Sequence, residues 1–294
     1  MKKYVLFDLD GTLTDPMVGI TTCVQYALAA AGIEEPDLQK LTPFIGPPLK
    51  QSFMEFYGFS DEKAEQAVEK YRERFRDVGI FENEVYEGIP KLLSSLKKEG
   101  MLLSVASSKP EVFVKRILTH FSIDSYFDAV VGSELDGRRT DKKEVVAEAL
   151  KRLYEKDAEK AEKTEGTALL DAAKGKTEQD ANGKEEVAQD AAKRKCTYMV
   201  GDRKFDIIGA KAEDVISVGV TYGYGSEEEL LAEKPDFLAH SVDELKEILM
   251  GSRKEKEMIP TSPLFDDLRE GLEEAISYEK RTGEGIEYIV AKDH

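Results

Sequence analysis

The stretch Lys3-Tyr4-Val5-Leu6-Phe7-Asp8-Leu9-Asp10-Gly11-Thr12-Leu13 decides how the rest of the chain is read. Its first half has the β-branched and aromatic composition of a buried strand, and it ends on two carboxylates followed by Gly-Thr. Side chains alternate along a strand, so Asp8 and Asp10 share a face if the strand continues through them. Gly11 supplies a turn just past the second acid and lets a ligand approach the backbone. Open α/β sheets bind ligands outside the carboxyl ends of their parallel strands, which is where these acids fall. Taken alone, the pair also reads as a strand running out into a solvated acidic turn, so the remaining sequence has to decide.

Working outward, residues from Asp15 to about Tyr86 are helical in pattern. Ile20, Val24, Ala27 and Leu28 share one face, and Gly32 is placed to end that helix. A second helix is predicted around Leu49 to Tyr57, after the loop Phe44-Ile45-Gly46-Pro47-Pro48. A third runs from Asp61 to Arg76 with Ala64, Val68, Tyr71 and Phe75 on one stripe. Several helices exceed what one crossover needs, so residues 15–86 are expected to form an inserted all-helical unit. From Gly88 the rhythm alternates. Helices are predicted over Ile89–Glu99, Pro110–His120, Lys142–Tyr154 and Asp206–Ala212. Strands are predicted over Met101–Ala106, Phe127–Val131, Thr197–Val200, Val215–Val220 and Pro235–Ala239. That alternation implies an α/β fold with a parallel, doubly wound sheet built from residues 1–14 and 87–250.

Two segments break the rhythm. Glu155–Lys195 has no aromatic residue and is rich in Ala, Lys, Glu, Asp and Gly, the composition of a solvated, partly helical or disordered excursion. Residues 251–294 form a charged linker and a tail in which Ser262 precedes Leu264, Leu268, Leu272 and Ile276 at i,i+4 spacing. That lone apolar stripe needs a partner, so the tail is a candidate for oligomerisation or for a protein partner.

The totals narrow the function classes. The chain has 294 residues, 41% hydrophobic and 34% charged, with a formal net charge of -17 and mean hydropathy -0.44. Such acidity argues against nucleic acid polymers and anionic membranes as partners, and it requires any anionic substrate to meet a local positive site or a bound cation. The two cysteines, Cys23 and Cys196, suggest neither a disulfide framework nor a zinc site. The first apolar run stops at Asp8, too short for a secretion signal, and no stretch is long enough to span a membrane. Cytoplasm is the expected compartment.

Three further strand ends carry polar groups. Met101–Ala106 leads into Ser107-Ser108-Lys109-Pro110 at a predicted helix start, an anion site or an ordinary Ser cap. Asp136 to Lys143 brings dense positive charge, or is a solvated basic loop. Tyr198-Met199-Val200 leads into Gly201-Asp202-Arg203-Lys204-Phe205-Asp206, two acids that could equally serve the helix dipole. Jointly they suit phosphoryl transfer. Asp8 and Asp202 are hard oxygen ligands for Mg²⁺. A carboxylate nucleophile can split hydrolysis into two steps, and an acid two residues on can protonate the leaving oxygen and then deprotonate water. A hydroxyl and a Lys stabilise the transferring group.

In order, FDLDGT, VASSKP, the Lys142 region and MVGDRKFDIIGA resemble the four motifs of the haloacid dehalogenase superfamily, over Lys3 to Leu249 apart from the excursion. The paired acids resemble its phosphatases, since dehalogenases lack the second acid. FIGPPL, GIFENEVYEGIP, SSKPEVFVKRIL and GVTYGYGSEEEL resemble the phosphoglycolate phosphatase-like group, and within it the 5′-nucleotidase-like branch. The resemblance implies a Rossmann-like core with a helical cap of the C1 type. It implies Asp8 as nucleophile and Mg²⁺ ligand, and Asp10 as general acid/base whose backbone carbonyl also meets the metal. Ser107 would bond the phosphoryl oxygens, and Lys142, or its neighbour Lys143, would brace Asp8 and the phosphate. Asp202 would complete the metal site, with Asp206 behind it or bound through a water. Gly11, Thr12, Ser108, Gly46 and Pro47 would meet the substrate. The activity implied is Mg²⁺-dependent hydrolysis of a small phosphate ester, a nucleoside monophosphate ahead of phosphoglycolate. The alternatives are a sugar-phosphate mutase and a regulatory protein acting through its tail.

Overall fold

The computed structural model describes residues 3–169 and 190–251. Strands β1 (Tyr4–Phe7) and β2 (Thr14–Asp15) are followed by helices α1 (Met17–Ala30), α2 (Leu49–Tyr57) and α3 (Asp61–Phe75), and the chain returns through β3 (Glu84–Val85). Then come α4 (Ile89–Lys98), β4 (Leu102–Pro110), α5 (Glu111–His120), β5 (Ala129–Ser133) and α6 (Lys142–Leu169). The series ends with β6 (Thr197–Gly201), α7 (Lys204–Ala212), β7 (Ile216–Val220), α8 (Glu227–Ala232), β8 (Phe237–Ala239) and α9 (Val242–Met250).

Six strands form a parallel sheet in the order β5-β4-β1-β6-β7-β8. Numbering these six alone in chain order gives 3-2-1-4-5-6, the doubly wound arrangement in which the chain reverses direction beside β1. β1 is buried on both faces. Val5 and Phe7 join an apolar cluster that also holds Ile20, Phe53 and Phe75 of the helical group. Tyr4 and Leu6 join a second cluster with Val145, Leu150 and Tyr154 of α6. The strand's two-residue period thus feeds two cores at once. Phe7 is paired with Val105 on one side and Val200 on the other, so Asp8 and the ends of β4 and β6 emerge at one level.

Three features differ from the sequence expectations. A two-residue antiparallel ladder, Thr14 with Val85 and Asp15 with Glu84, ties the base of the helical group; pairs this short leave no periodic signal. β4 continues to Pro110, pairing Pro110 with Ser133 across an irregularity after Ala106. The residue before a proline is driven to extended backbone, which keeps Lys109 in strand and delays α5 to Glu111. α6 runs to Leu169 instead of ending at Tyr154. One face of this extension is tethered: Asp157 accepts a 2.6 Å hydrogen bond from the Tyr4 hydroxyl, and Lys160 lies 2.6 Å from Asp128. The early part of the expected excursion therefore belongs to the packed structure. Its centre and the predicted tail helix lie outside the described residues. No helix among the described residues is long and apolar enough to cross a membrane.

The Tyr4–Asp157 bond predicts a measurable contribution. In urea titrations, Asp157→Ala should lower the unfolding free energy by about 1 kcal/mol, the usual value of one partly buried hydrogen bond. Lys156→Ala, which removes a solvent-facing pair with Glu159, should leave the midpoint unchanged. Equal effects would show that the contact is incidental.

Candidate active site

The residue after β1 is still within the ladder: the Asp8 N–H donates to Val200 O at 2.9 Å. Its carboxylate is almost fully buried, as are those of Asp202 and Asp206. Oxygens of these three acids lie within 4.8 Å of one another. Lys142, the first residue of α6, reaches into the group. Its Nζ lies 3.0 Å from Asp8 Oδ1 and 2.8 Å from Asp206 Oδ1, and it donates to Ala106 O at 3.1 Å. Of the two adjacent lysines it is Lys142 that turns inward; Lys143 is exposed. The ion pairs hold by charge and proximity, because neither of those carboxylate oxygens has an aligned hydrogen bond.

Three buried carboxylates face one ammonium, and their protonation equilibria reflect the imbalance. Burial pushes the Asp202 carboxyl well above its ordinary range, and the charges of Asp206 and Asp8 push the same way. Burial also pushes Asp206 up to about 6 against the opposing pull of Lys142. For Lys142, burial disfavours the ammonium, but Asp206 and Asp8 outweigh it and hold the group above its usual value.

Asp202 is held by its surroundings. The Tyr224 N–H donates to its Oδ2 at 2.7 Å and the Thr12 hydroxyl to its Oδ1 at 3.4 Å. Gly11 has φ +82°, and a Cβ there would sit 2.1 Å from Asp202 Oδ2; one at Gly223 would sit 2.4 Å from Asp202 Cβ. Both positions therefore demand glycine. Gly11 and Thr12, expected to meet substrate, pack on Asp202, and neither lines the neighbouring cavity. Asp206 accepts the Arg203 N–H at 3.0 Å, which caps α7.

Asp10 is not one of the three grouped acids and is held by a different lysine. Both its oxygens accept from Lys109 Nζ, at 2.7 and 2.6 Å, and the Lys109 side chain is only 7% exposed. Burial raises the Asp10 carboxyl and Lys109 opposes it, with the net shift upward. Lys109 has no role in the sequence reading. The only available signal is a lysine following two serines at a strand end, and its direction depends on the strand continuing to Pro110. Ser107 is buried beside it, its Oγ accepting the Lys109 N–H at 3.3 Å. Asp10, Ser108 and Lys109 open onto a cavity of about 330 Å³ that Gly46 and Pro47 also line, with Phe44, Tyr71, Phe75 and Phe113 among its walls.

The charge balance predicts a pH-dependent cost for losing Lys142. Breaking a buried ion pair from one side costs ~3 kcal/mol or more. Carboxyls raised in the folded state add stability that is fully present below their unfolded value and is lost as pH rises through the folded one. Removing Lys142 raises Asp206 further, because Lys142 is the charge that opposes its burial. In chelator-treated protein, Lys142→Met should therefore destabilise most near pH 7 and progressively less toward about pH 4. A pH-independent loss in denaturant titrations would contradict the ion-pair geometry.

Comparisons with known proteins identify the family. The model of the haloacid dehalogenase-like hydrolase family matches residues 5–165. The chain is 44% identical over 245 residues to a 5′-nucleotidase of Pseudomonas aeruginosa, covering 83% of this chain and 94% of that protein. It is 32% identical over 249 residues to tyrosine-protein kinase PtkA of Mycobacterium tuberculosis, covering 84% and 72%. The crystal structure of a predicted phosphatase from Clostridium acetobutylicum aligns with a TM-score of 0.68 at 42% identity, covering 85% of this chain and 99% of that one. With acids at the ends of β1 and β6, a lysine from α6 joining Asp8 to Asp206, and these similarities, the chain belongs to the haloacid dehalogenase-like hydrolases.

Proposed function

We propose that this chain is a Mg²⁺-dependent phosphomonoester hydrolase working through an aspartyl-phosphate on Asp8. In this reading residues 15–86 are a cap over a core of 1–14 and 87–250, and nucleoside monophosphates are preferred to phosphoglycolate. One observation carries the reading: three buried acids gather where β1 and β6 end, and Asp10, two residues after Asp8, opens onto a cavity with Phe44, Tyr71, Phe75 and Phe113 among its walls.

The donor set fits Mg²⁺. The grouped donors are all carboxylate oxygens, and buried Asp8 Oδ1 and Asp206 Oδ1 have no aligned hydrogen bond. Asp8, Asp202 and the Asp10 backbone carbonyl would hold the ion, with Asp206 behind them or joined through a water. When bound it would supply positive charge to offset the phosphate and the site's own acids.

The protein groups then act in two steps. A carboxylate oxygen of Asp8 attacks phosphorus, the ester P–O bond breaks, and the leaving oxygen takes the Asp10 proton. Asp10 next takes a proton from water, that oxygen attacks phosphorus, the Asp8–phosphorus bond breaks and inorganic phosphate leaves. A carboxyl held above its usual range by burial suits the acid half of this cycle. The Ser107 hydroxyl donates to a phosphoryl oxygen, and Lys142 offsets charge as it develops. The walls of Phe44, Tyr71, Phe75 and Phe113 suit a ring-bearing leaving group better than glycolate, a small carboxylate. The 44% identical 5′-nucleotidase supports the same choice. Transfer to a hydroxyl other than water is a second reading, favoured by the relative called a tyrosine-protein kinase.

Phosphate release should be faster from nucleoside monophosphates than from phosphoglycolate. It should vanish with chelator, return with Mg²⁺, and not be supported by Ca²⁺, which prefers more ligands at longer distances. Transfer to an added alcohol in place of water would favour the second reading. Asp8→Asn should lose several orders of magnitude in turnover with the fold intact; near-normal activity would sink the mechanism. Asp10→Asn should slow alkyl phosphates by ~10²–10⁴-fold and p-nitrophenyl phosphate by much less, since that leaving group needs no proton.

A further inference from the structure

Arg203 follows Asp202 directly, and its side chain leaves the acid group for the helical insertion. Its Nη1 donates to Ile45 O at 2.6 Å. Glu229 on α8 fixes the rest of the guanidinium, accepting Nε at 2.9 Å and Nη2 at 3.3 Å. Glu229 Oε1 also accepts the Lys204 N–H at 2.9 Å, so the carboxylate is itself tied to the start of α7. The Arg203 N–H goes to Asp206 at 3.0 Å. One residue thus joins the turn between Asp202 and Asp206, helix α8, and a backbone carbonyl of the insertion. Ile45 is fully buried, and the next residues, Gly46 and Pro47, line the cavity. Gly46 lies against the same side chain: its φ is +104°, and a Cβ there would approach Arg203 Cγ to 3.0 Å.

We propose that Arg203, aimed by Glu229, is a positioning residue that holds the Ile45–Pro48 loop over the cavity and so sets the affinity for the leaving group. The inference rests on the hydrolase reading and deepens it. A guanidinium can span a carboxylate and a carbonyl at once, with its donors fixed in a plane, whereas a lysine presents a single point of charge. A charge-assisted bond at 2.6 Å holds this loop more firmly than a neutral contact. A substrate whose leaving group reaches Gly46 and Pro47 depends on that position. A substrate with almost no leaving group does not.

The test compares adenosine 5′-monophosphate with acetyl phosphate, and adds hydrogen exchange on the same proteins. Arg203→Met should raise KM for the nucleotide by ~10-fold or more, the consequence of losing one bond to a charged group, with a much smaller change in kcat. Arg203→Lys should recover only part of this. Glu229→Ala should show the same split more weakly and leave acetyl phosphate hydrolysis near the wild-type rate. In both Arg203→Met and Glu229→Ala, amides of residues 45–57 should exchange faster. Equal losses on the two substrates, or unchanged exchange over 45–57, would overturn the proposal. If wild-type protein releases phosphate from neither compound, it is the hydrolase reading that fails, and the exchange result alone then decides whether Arg203 holds the loop.

Discussion

Lys142 sits between Asp8 and Asp206 at 3.0 and 2.8 Å, inside a group that also contains Asp202. Each of these charges is costly to bury alone, and the arrangement is tolerable only because opposite charges are in contact. Much of the fold serves that contact. The reversal of strand order beside β1 makes β6 its neighbour, which brings Asp8 and Asp202 together although 193 residues of sequence lie between them. α6 must lie close over the sheet to deliver Lys142 from its first residue. Gly209 lets α7 pack tightly beside it, since a Cβ there would come within 3.0 Å of Lys142 Cγ and 3.2 Å of Val146 Cγ2.

The site extends upward through a mixed seam between the helical insertion and the sheet ends. Part is apolar, with Phe75 of α3 packed edge-on against Phe113 of α5 at 5.4 Å. The rest consists of cationic side chains reaching across. Arg203 meets Ile45 O, Arg72 meets Leu135 O at 3.3 Å, and Lys109 stands 5.0 Å from the Phe75 ring while holding Asp10. On the other flank the Tyr224 hydroxyl donates to Asp15 in the short ladder at the base of the insertion, while its N–H holds Asp202. The acids and the insertion are therefore mechanically joined at several points. A change in the charge at Asp202 or Asp10 bears on residues that touch the insertion directly.

Much of this was legible in the chain. Tyr4-Val5-Leu6-Phe7 reads as a strand buried on both faces because hydrophobic period and burial follow local backbone geometry. The alternation after Gly88 reads as a doubly wound sheet for the same reason, and Asp8, Asp10, Asp202 and Lys142 stand at the ends of elements that periodicity locates. The boundaries that slipped did so where tertiary contact overrode local preference. β4 extends to Pro110 by pairing with Ser133, α6 extends past Tyr154 with Asp157 bonded to Tyr4, and the two-residue strands β2 and β3 exist only through each other.

The order of residues along the chain sets which side chains stand at the strand ends, and hence the chemistry available. Which of them meet follows from the folded arrangement. It turned Lys142 inward and Lys143 outward, paired Asp10 with Lys109, used Gly11 and Thr12 to wall in Asp202, and sent Arg203 to the insertion. Local periodicity specifies the face on which a side chain emerges. Its partner is set by strand order, crossover and close backbone approach, which bring together residues with no proximity along the chain.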